Sequence, residues 1–303
     1  VPDDARAVLD GLLGTLLGPG VRVEADVSGD GGARAWHVDD PAAGALVVKV
    51  GRTGAPGLDL VRSSTALEAA GAAGVPVPRL IESGVLDGWQ HQVCERVAGP
   101  RWSEVAPTLD APGRSRVLAA LTDVLARLRT VRYAGFGDLG TPAGLGMPAG
   151  LGTPADGAPG ASRLTERDAL RARTLARIPP GPGRDVAQQV LARYGHLFDG
   201  THPAVLVHGD LHHANVLVRP GAAGWGLAAV LDWDSAWAGP VDADEARAAL
   251  WDDMPGEPDG PGPRAAVQQL LWCLEYPART PRHRADTARL AGLLGVTTPT
   301  WSS

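Results

Sequence analysis

Apolar positions along the chain fall into two periods. Residues 4–17 carry Ala7, Leu9, Leu12, Leu13, Leu16 and Leu17 at helical spacing, and Gly18-Pro19-Gly20 closes that helix. The period then drops to two. Val21 to Val27 alternates, Ala33 to Val38 forms a second short strand, and Ala45 to Val50 is a continuous apolar run that predicts a buried strand. A helix is predicted over 57–73, stopped by Gly74, followed by strands over 79–83 and 89–97 around the turn Asp87-Gly88. Gly99-Pro100 breaks the pattern. Beyond it the periodicity is mostly helical, over 114–132, 163–177, 184–198, 241–251, 263–275 and 283–294. One strand, Ala204 to Val207, and a hairpin of Asn215 to Val218 with Leu227 to Leu231 interrupt it. The expected division is a lobe of strands with one main helix over 1–98 and a larger helical lobe over 99–303.

Between the helical segments, Pro-Ala-Gly-Leu-Gly occurs at 142–146 and again at 148–152. Such Pro/Gly-rich repeats offer little to bury, so 138–161 reads as a surface insertion. A chain of 303 residues with 44% apolar and 20% charged residues has an ordinary globular composition. A formal charge of −6 argues against a nucleic-acid surface, and no apolar stretch is long enough for a membrane span. Two cysteines, Cys94 and Cys273, are too few for a disulfide framework and fit buried thiols in a reducing cytoplasm. The N-terminus is acidic and lacks the basic start of a secretory signal.

The chain has one lysine, Lys49, and one asparagine, Asn215. The other 27 basic residues are arginine, which points to a GC-rich genome in which a surviving lysine sits where arginine will not serve. Lys49 lies within the apolar strand. Asn215 closes His208-Gly209-Asp210-Leu211-His212-His213-Ala214-Asn215, and Val230-Leu231-Asp232-Trp233-Asp234 follows. These are the parts that hold a nucleoside triphosphate and Mg²⁺ for phosphoryl transfer: a strand lysine, an Asp with an Asn five residues on, and an Asp after a strand. The predicted hairpin puts Asp232 beside Asn215, where both can ligate one hard cation. Rival readings are weaker. His208, Asp210, His212 and His213 could suggest a hydrolytic metal cluster, but adjacent histidines diverge and no second ligand group is visible. No Gly-x-x-x-x-Gly-Lys-Ser/Thr loop exists. The tryptophans Trp233, Trp237, Trp251 and Trp272 read as core or as a stacking platform for substrate.

The segments HGDLHHANVLV and VLDWD resemble the aminoglycoside phosphotransferase family, small-molecule kinases with the protein-kinase fold. The resemblance extends to the Lys49 strand, to Gly74-Val75-Pro76-Val77-Pro78, to Val93–Gly99 as a hinge and to Gly239–Asp244. It implies an α+β, bilobal, kinase-like fold and an ATP-dependent (or GTP-dependent) phosphotransferase acting on an alcohol group. The roles it implies are Asp210 as catalytic base and Asn215 and Asp232 as Mg²⁺ ligands. Lys49 becomes the phosphate lysine, and Cys94, Glu95 and Val97 meet the base through the backbone. His208 and Asp244 brace the loop. The family pairs its strand lysine with a helix glutamate. Here the only Glu of that helix is Glu68, while the usual position falls near Ser63, so Glu68 is either that partner or the pair is absent. The nucleotide loop, Ser28 to Ala33, lacks a strict Gly-x-Gly-x-x-Gly.

Between Asp232 and Glu275 there are ten acidic residues and two basic ones, Arg247 and Arg264. An acid-rich region favours a cationic acceptor, hence an aminoglycoside or another amine-bearing antibiotic, with Asp234, Asp252 and Asp253 as candidate contacts. The alternatives are a macrolide or nucleoside antibiotic, a primary metabolite such as an amino sugar, or a degenerate kinase that only binds. The partners expected are a small-molecule acceptor and no nucleic acid or membrane, for a monomer or weak dimer.

Overall fold

The structure is a computed structural model that describes residues 2–17, 20–28, 32–55, 57–137, 139, 164–222, 224–256, 260–276 and 280–297. The insertion expected at 138–161 therefore lies, apart from residue 139, outside the described residues, as does the centre of the Ser28–Ala33 loop.

In chain order the elements begin with α1 (Pro2–Leu12), β1 (Arg22–Asp26), β2 (Arg34–Asp40), β3 (Gly44–Arg52), α2 (Leu60–Ala72), β4 (Leu80–Leu86) and β5 (Trp89–Glu95). There follow α3 (Trp102–Val105), α4 (Ala111–Leu128), β6 (Arg132–Tyr133), α5 (Glu166–Arg177), α6 (Pro182–Tyr194) and β7 (Ala204–Val207). The chain closes with β8 (Val216–Gly221), β9 (Gly224–Val230), β10 (Trp237–Gly239), α7 (Ala243–Ala248), α8 (Pro263–Glu275) and α9 (Pro281–Leu293). The expected helices and strands are present. The patterning missed α3, β6 and β10, which have four residues or fewer and so carry no readable period. Among the described residues no helix is long and apolar enough to cross a membrane.

The chain forms two compact units. One comprises residues 1–120 and 214–236, the other 121–213 and 237–303. In the first, an antiparallel sheet runs in the order β1-β2-β3-β5-β4. Alternation along β3 decides its two faces. Leu46, Val48 and Val50 are buried in a cluster with Leu9 and Leu12 of α1, with Leu13 just after it, and with Trp36, Val38 and Val93. Val47 and Lys49 point to the other face and line a cavity. Removing one of those buried leucines, as in Leu46→Ala, is expected to cost about 2–5 kcal/mol. The helix α2 begins at Asp59, whose side chain accepts from the Arg62 N–H at 2.9 Å.

This unit also contains the β8–β9 hairpin, in register from Val216↔Val230 to Gly221↔Gly224. Gly99 (φ +146°) is required where the chain passes the hairpin, because a Cβ there would stand 2.4 Å from the Val218 carbonyl oxygen. The second unit is built on a core of α5, α6, α8 and α9 packed with β7 and β10, including Phe198, Val205, Val207, Leu270 and Leu290. All four residues of β7 are buried.

Candidate active site

Lys49 is placed by β2 and β5, where its register partners are Ala35 and Gln92. Its Nζ donates to Asp232 Oδ1 at 2.8 Å and to both oxygens of Asp234 at 3.2 and 3.1 Å. Burial opposes the lysine charge, but Asp232 and Asp234 outweigh it and raise its pKa above the ordinary value. Asp232 follows β9 in the left-handed region (φ 63°, ψ 69°), uncommon for a residue other than glycine, and it aims the carboxylate back at Lys49. Asn215 precedes β8, and its carbonyl accepts from the Leu231 N–H at 2.8 Å. The hairpin therefore brings Asn215 opposite the residue before Asp232.

Lys49, Asn215, Asp232 and Asp234 line one cavity of about 720 Å³ together with Val47, Gln92 and Leu217. Cys94, Glu95 and Val97 line it as well. The Glu95 and Arg96 N–H groups are taken by Arg79 and Ala45 carbonyls at 2.9 Å, and the chain from Val97 to Gly99 continues outside strand pairing. Burial pushes the Cys94 thiol up to about 12, so it stays protonated and apolar in character.

Two candidate residues stand elsewhere than expected. Glu68 is exposed on α2, and Lys49 pairs with Asp232 and Asp234 instead. The reason is helical geometry. Ser63, five residues earlier, lies on the inward face of α2, 2% exposed, with its Oγ 2.8 Å from Asp234 Oδ1. Asp234, expected at an acceptor, sits on Lys49. Burial, with Asp232 nearby, raises its pKa against the pull of Lys49 and Ser63.

In the second unit the loop after β7 is held from one side by Asp244. Its carboxylate accepts from the N–H groups of His208 (2.7 Å) and Gly209 (2.9 Å), and Gly209 takes a positive φ of 78°. His208 is fully buried, and its Nδ1 accepts from the Asp210 N–H at 3.2 Å. Both residues brace the loop. Asp210 itself meets Arg247, whose Nη2 donates to Oδ1 at 2.9 Å, and His212, with Nε2 3.6 Å from Oδ2. Burial would raise the Asp210 pKa, but His212 and Arg247 hold it well below the usual carboxylate range. Asp210 is thus ionised throughout the physiological range.

Sequence reasoning missed Arg247. The available signal was its spacing, three residues after Asp244 and hence on the same face of α7. Its guanidinium lies 3.2 Å from the Trp272 ring centre, and Trp251 stacks with His212 (5.4 Å) and meets His213 in a tilted contact (4.6 Å). Trp233 and Trp237 are buried core residues.

The acidic surplus of 232–275 is also reduced. Asp242 bonds Arg264, Glu245 bonds Arg129, Asp252 bonds Arg282 and Glu275 bonds Arg177. Three of those arginines come from outside the window.

The first unit thus holds a strand lysine bound to an Asp at a hairpin end with an Asn in the same cavity, and the second unit holds an ionised Asp on a braced loop, the residue types that phosphoryl transfer uses. Residues 25–281 match the phosphotransferase enzyme family, APH, and the chain belongs to that family. It is a phosphotransferase with an alcohol group as acceptor, and its fold is the α+β kinase-like one. It is similar to the aminoglycoside phosphotransferase APH(4)-Ia, with 19% identity, a TM-score of 0.65, and 96% of this chain and 97% of that one covered. A thermostable mutant of that enzyme in ternary complex with ADP and hygromycin B matches at 18% identity and a TM-score of 0.63, covering 95% and 96%. A protein from Thermobifida fusca named as a fructosamine-3-kinase matches at 23% identity and a TM-score of 0.58, covering 97% and 99%. No curated protein matches the sequence.

Proposed function

We propose that the protein is an ATP-dependent, Mg²⁺-requiring O-phosphotransferase that phosphorylates an aminoglycoside or another amine-bearing antibiotic and thereby inactivates it. The observation that carries the nucleotide half is Lys49 held on Asp232 and Asp234 in the cavity that Asn215 and the Cys94–Gly99 segment also line. Lys49 would contact the nucleotide phosphates, and Glu95 and Val97 would meet the base through main-chain atoms. The oxygen donors of Asn215 and Asp232 suit Mg²⁺, which takes few protein ligands and completes its shell with phosphate and water. The Asp232 side chain is 46% exposed, so its carboxylate can be reached by such an ion. Bound there, Mg²⁺ would neutralise phosphate charge. Asp210 would orient the acceptor hydroxyl and take its proton late, a role for which a carboxylate ionised throughout the working range suffices.

Lys49→Arg tests the nucleotide half. The charge is kept, but a planar fork cannot occupy the point where Nζ meets three carboxylate oxygens. kcat/KM for ATP is expected to fall by roughly tenfold or more, measured at saturating acceptor. A variant that used ATP like the wild type would remove Lys49 from the site.

The amine-bearing acceptor is supported by the exposed carboxylate of Asp252 and by the hygromycin B complex of a protein with the same fold. A second reading, a ring-bearing acceptor such as a macrolide or nucleoside, is favoured by the arginine partners of the acids and by the aromatic cluster of His212, Trp251 and His213. One steady-state series separates them. With a cationic acceptor, Asp252→Asn combined with Asp253→Asn should raise the acceptor KM by about three- to tenfold, flatten its salt dependence and leave the ATP KM unchanged. An unchanged acceptor KM decides for the second reading.

A further inference from the structure

We propose that Asp234 is a positioning residue that sets the Lys49 ammonium for the nucleotide, taking from the end of the hairpin the role that no carboxylate on α2 fills. The inference rests on the assignment of Lys49 to the nucleotide phosphates. Three observations carry it. First, α2 holds one acid, Glu68, and it is exposed, whereas the α2 side chain that bonds to this centre is the buried Ser63. Second, Asp234 is gripped as an anchor would be. Both its oxygens receive Lys49 Nζ, and Oδ1 also accepts from Ser63 Oγ at 2.8 Å. Behind Ser63, Gln92 Nε2 reaches Ser63 Oγ at 3.4 Å and Ser64 Oγ at 2.9 Å, and Gln92 is the β5 residue in register with Lys49. The polar chain from β5 through α2 to Asp234 thus returns to the lysine strand. Third, Trp233, 1% exposed and donating from Nε1 to the Val230 carbonyl at 3.1 Å, pins the turn that aims Asp234 inward.

Asp232 cannot do both jobs. Its side chain is 46% exposed against 24% for Asp234, and it is the carboxylate assigned to the cation. A carboxylate committed to a metal is a weakened partner for an ammonium group, so Lys49 needs a second anion. A bidentate carboxylate with a hydroxyl donor behind it is a defined geometry rather than a diffuse attraction.

The test separates an anchor from a metal ligand and from a structural residue. Asp234→Asn, Ser63→Ala and the double variant Asp234→Asn with Ser63→Glu are compared by calorimetric titration with ADP in EDTA, by ATP KM and kcat, by Mg²⁺ titration of activity and by melting temperature. The Asn variant should bind Mg²⁺-free ADP about tenfold more weakly and raise the ATP KM to a similar extent, with kcat less affected. Ser63→Ala should move both in the same direction by about two- to threefold. The double variant returns a carboxylate from the helix side, and its ADP affinity should recover to within about threefold of wild type. Unchanged ADP affinity in the Asn variant, with or without a raised Mg²⁺ requirement, overturns the proposal. If either Asp234 variant does not fold, Ser63→Ala decides, since an unchanged ADP affinity and ATP KM there also overturns it. Lys49→Met binding Mg²⁺-free ADP like the wild type would instead remove the phosphate-lysine assignment itself.

Discussion

Asp210→Asn is expected to bind ATP and ADP as the wild type does while phosphoryl transfer falls by roughly two to four orders of magnitude. The substitution keeps the size of the side chain and removes its charge and proton affinity. The loop should hold its shape, because it is braced by groups that the substitution leaves in place. Asp244 receives the His208 and Gly209 N–H groups, and His208 Nδ1 receives the N–H of residue 210 itself. What is lost is the anion that Arg247 and His212 surround. The loss should therefore show in kcat, with the nucleotide dissociation constant within about twofold of wild type. Near-normal turnover would remove Asp210 from the chemistry. A loss confined to nucleotide affinity would place the residue's effect in the fold.

Asp232→Ala should abolish measurable turnover, the second large effect. Among the described residues of the cavity, Asp232 is the carboxylate that directly follows β9, stands next to the residue opposite Asn215 and remains substantially open to solvent. Alanine would remove the oxygen proposed to hold the metal, for which Asp234, turned onto Lys49 and Ser63, is no substitute. Asn215→Asp should keep part of the activity, because an oxygen ligand remains and only the charge balance changes. Both are read from rate against Mg²⁺ concentration. Full activity of Asp232→Ala at ordinary Mg²⁺ would refute its assignment to the metal.

What could be read from the chain depended on the range of the interaction. Strand alternation around Lys49 and the heptad-like face of α4 are local patterns, and the elements stand where those patterns put them. The placing of Asn215 opposite Leu231, next to Asp232, was legible as well, because a hairpin ties these positions by a short register. The partner of Lys49 was not legible. Asp234 is 185 residues away in sequence, and its choice over Glu68 depends on which face of α2 turns inward. The charge around the acids of 232–275 was legible only in part, for the same reason. Counting acids between Asp232 and Glu275 leaves out Arg129, Arg177 and Arg282, which packing delivers to Glu245, Glu275 and Asp252. Arg247 was hidden by its type, since a buried arginine on a short helix carries no apolar signature until Asp210 and Trp272 are seen beside it.

The most direct measurement is ³¹P NMR of ATP and Mg²⁺ with the wild-type protein and with Asp210→Asn, over a panel of amine-bearing antibiotics, macrolides, nucleosides and amino sugars. With one or more acceptors the wild type should convert the γ-phosphate signal into equal amounts of ADP and a new phosphomonoester, and Asp210→Asn should do so at most at a trace rate. An intact γ-phosphate with every acceptor, in a wild-type protein shown by calorimetry to bind ATP and Mg²⁺, would contradict the account and leave a nucleotide-binding module in its place.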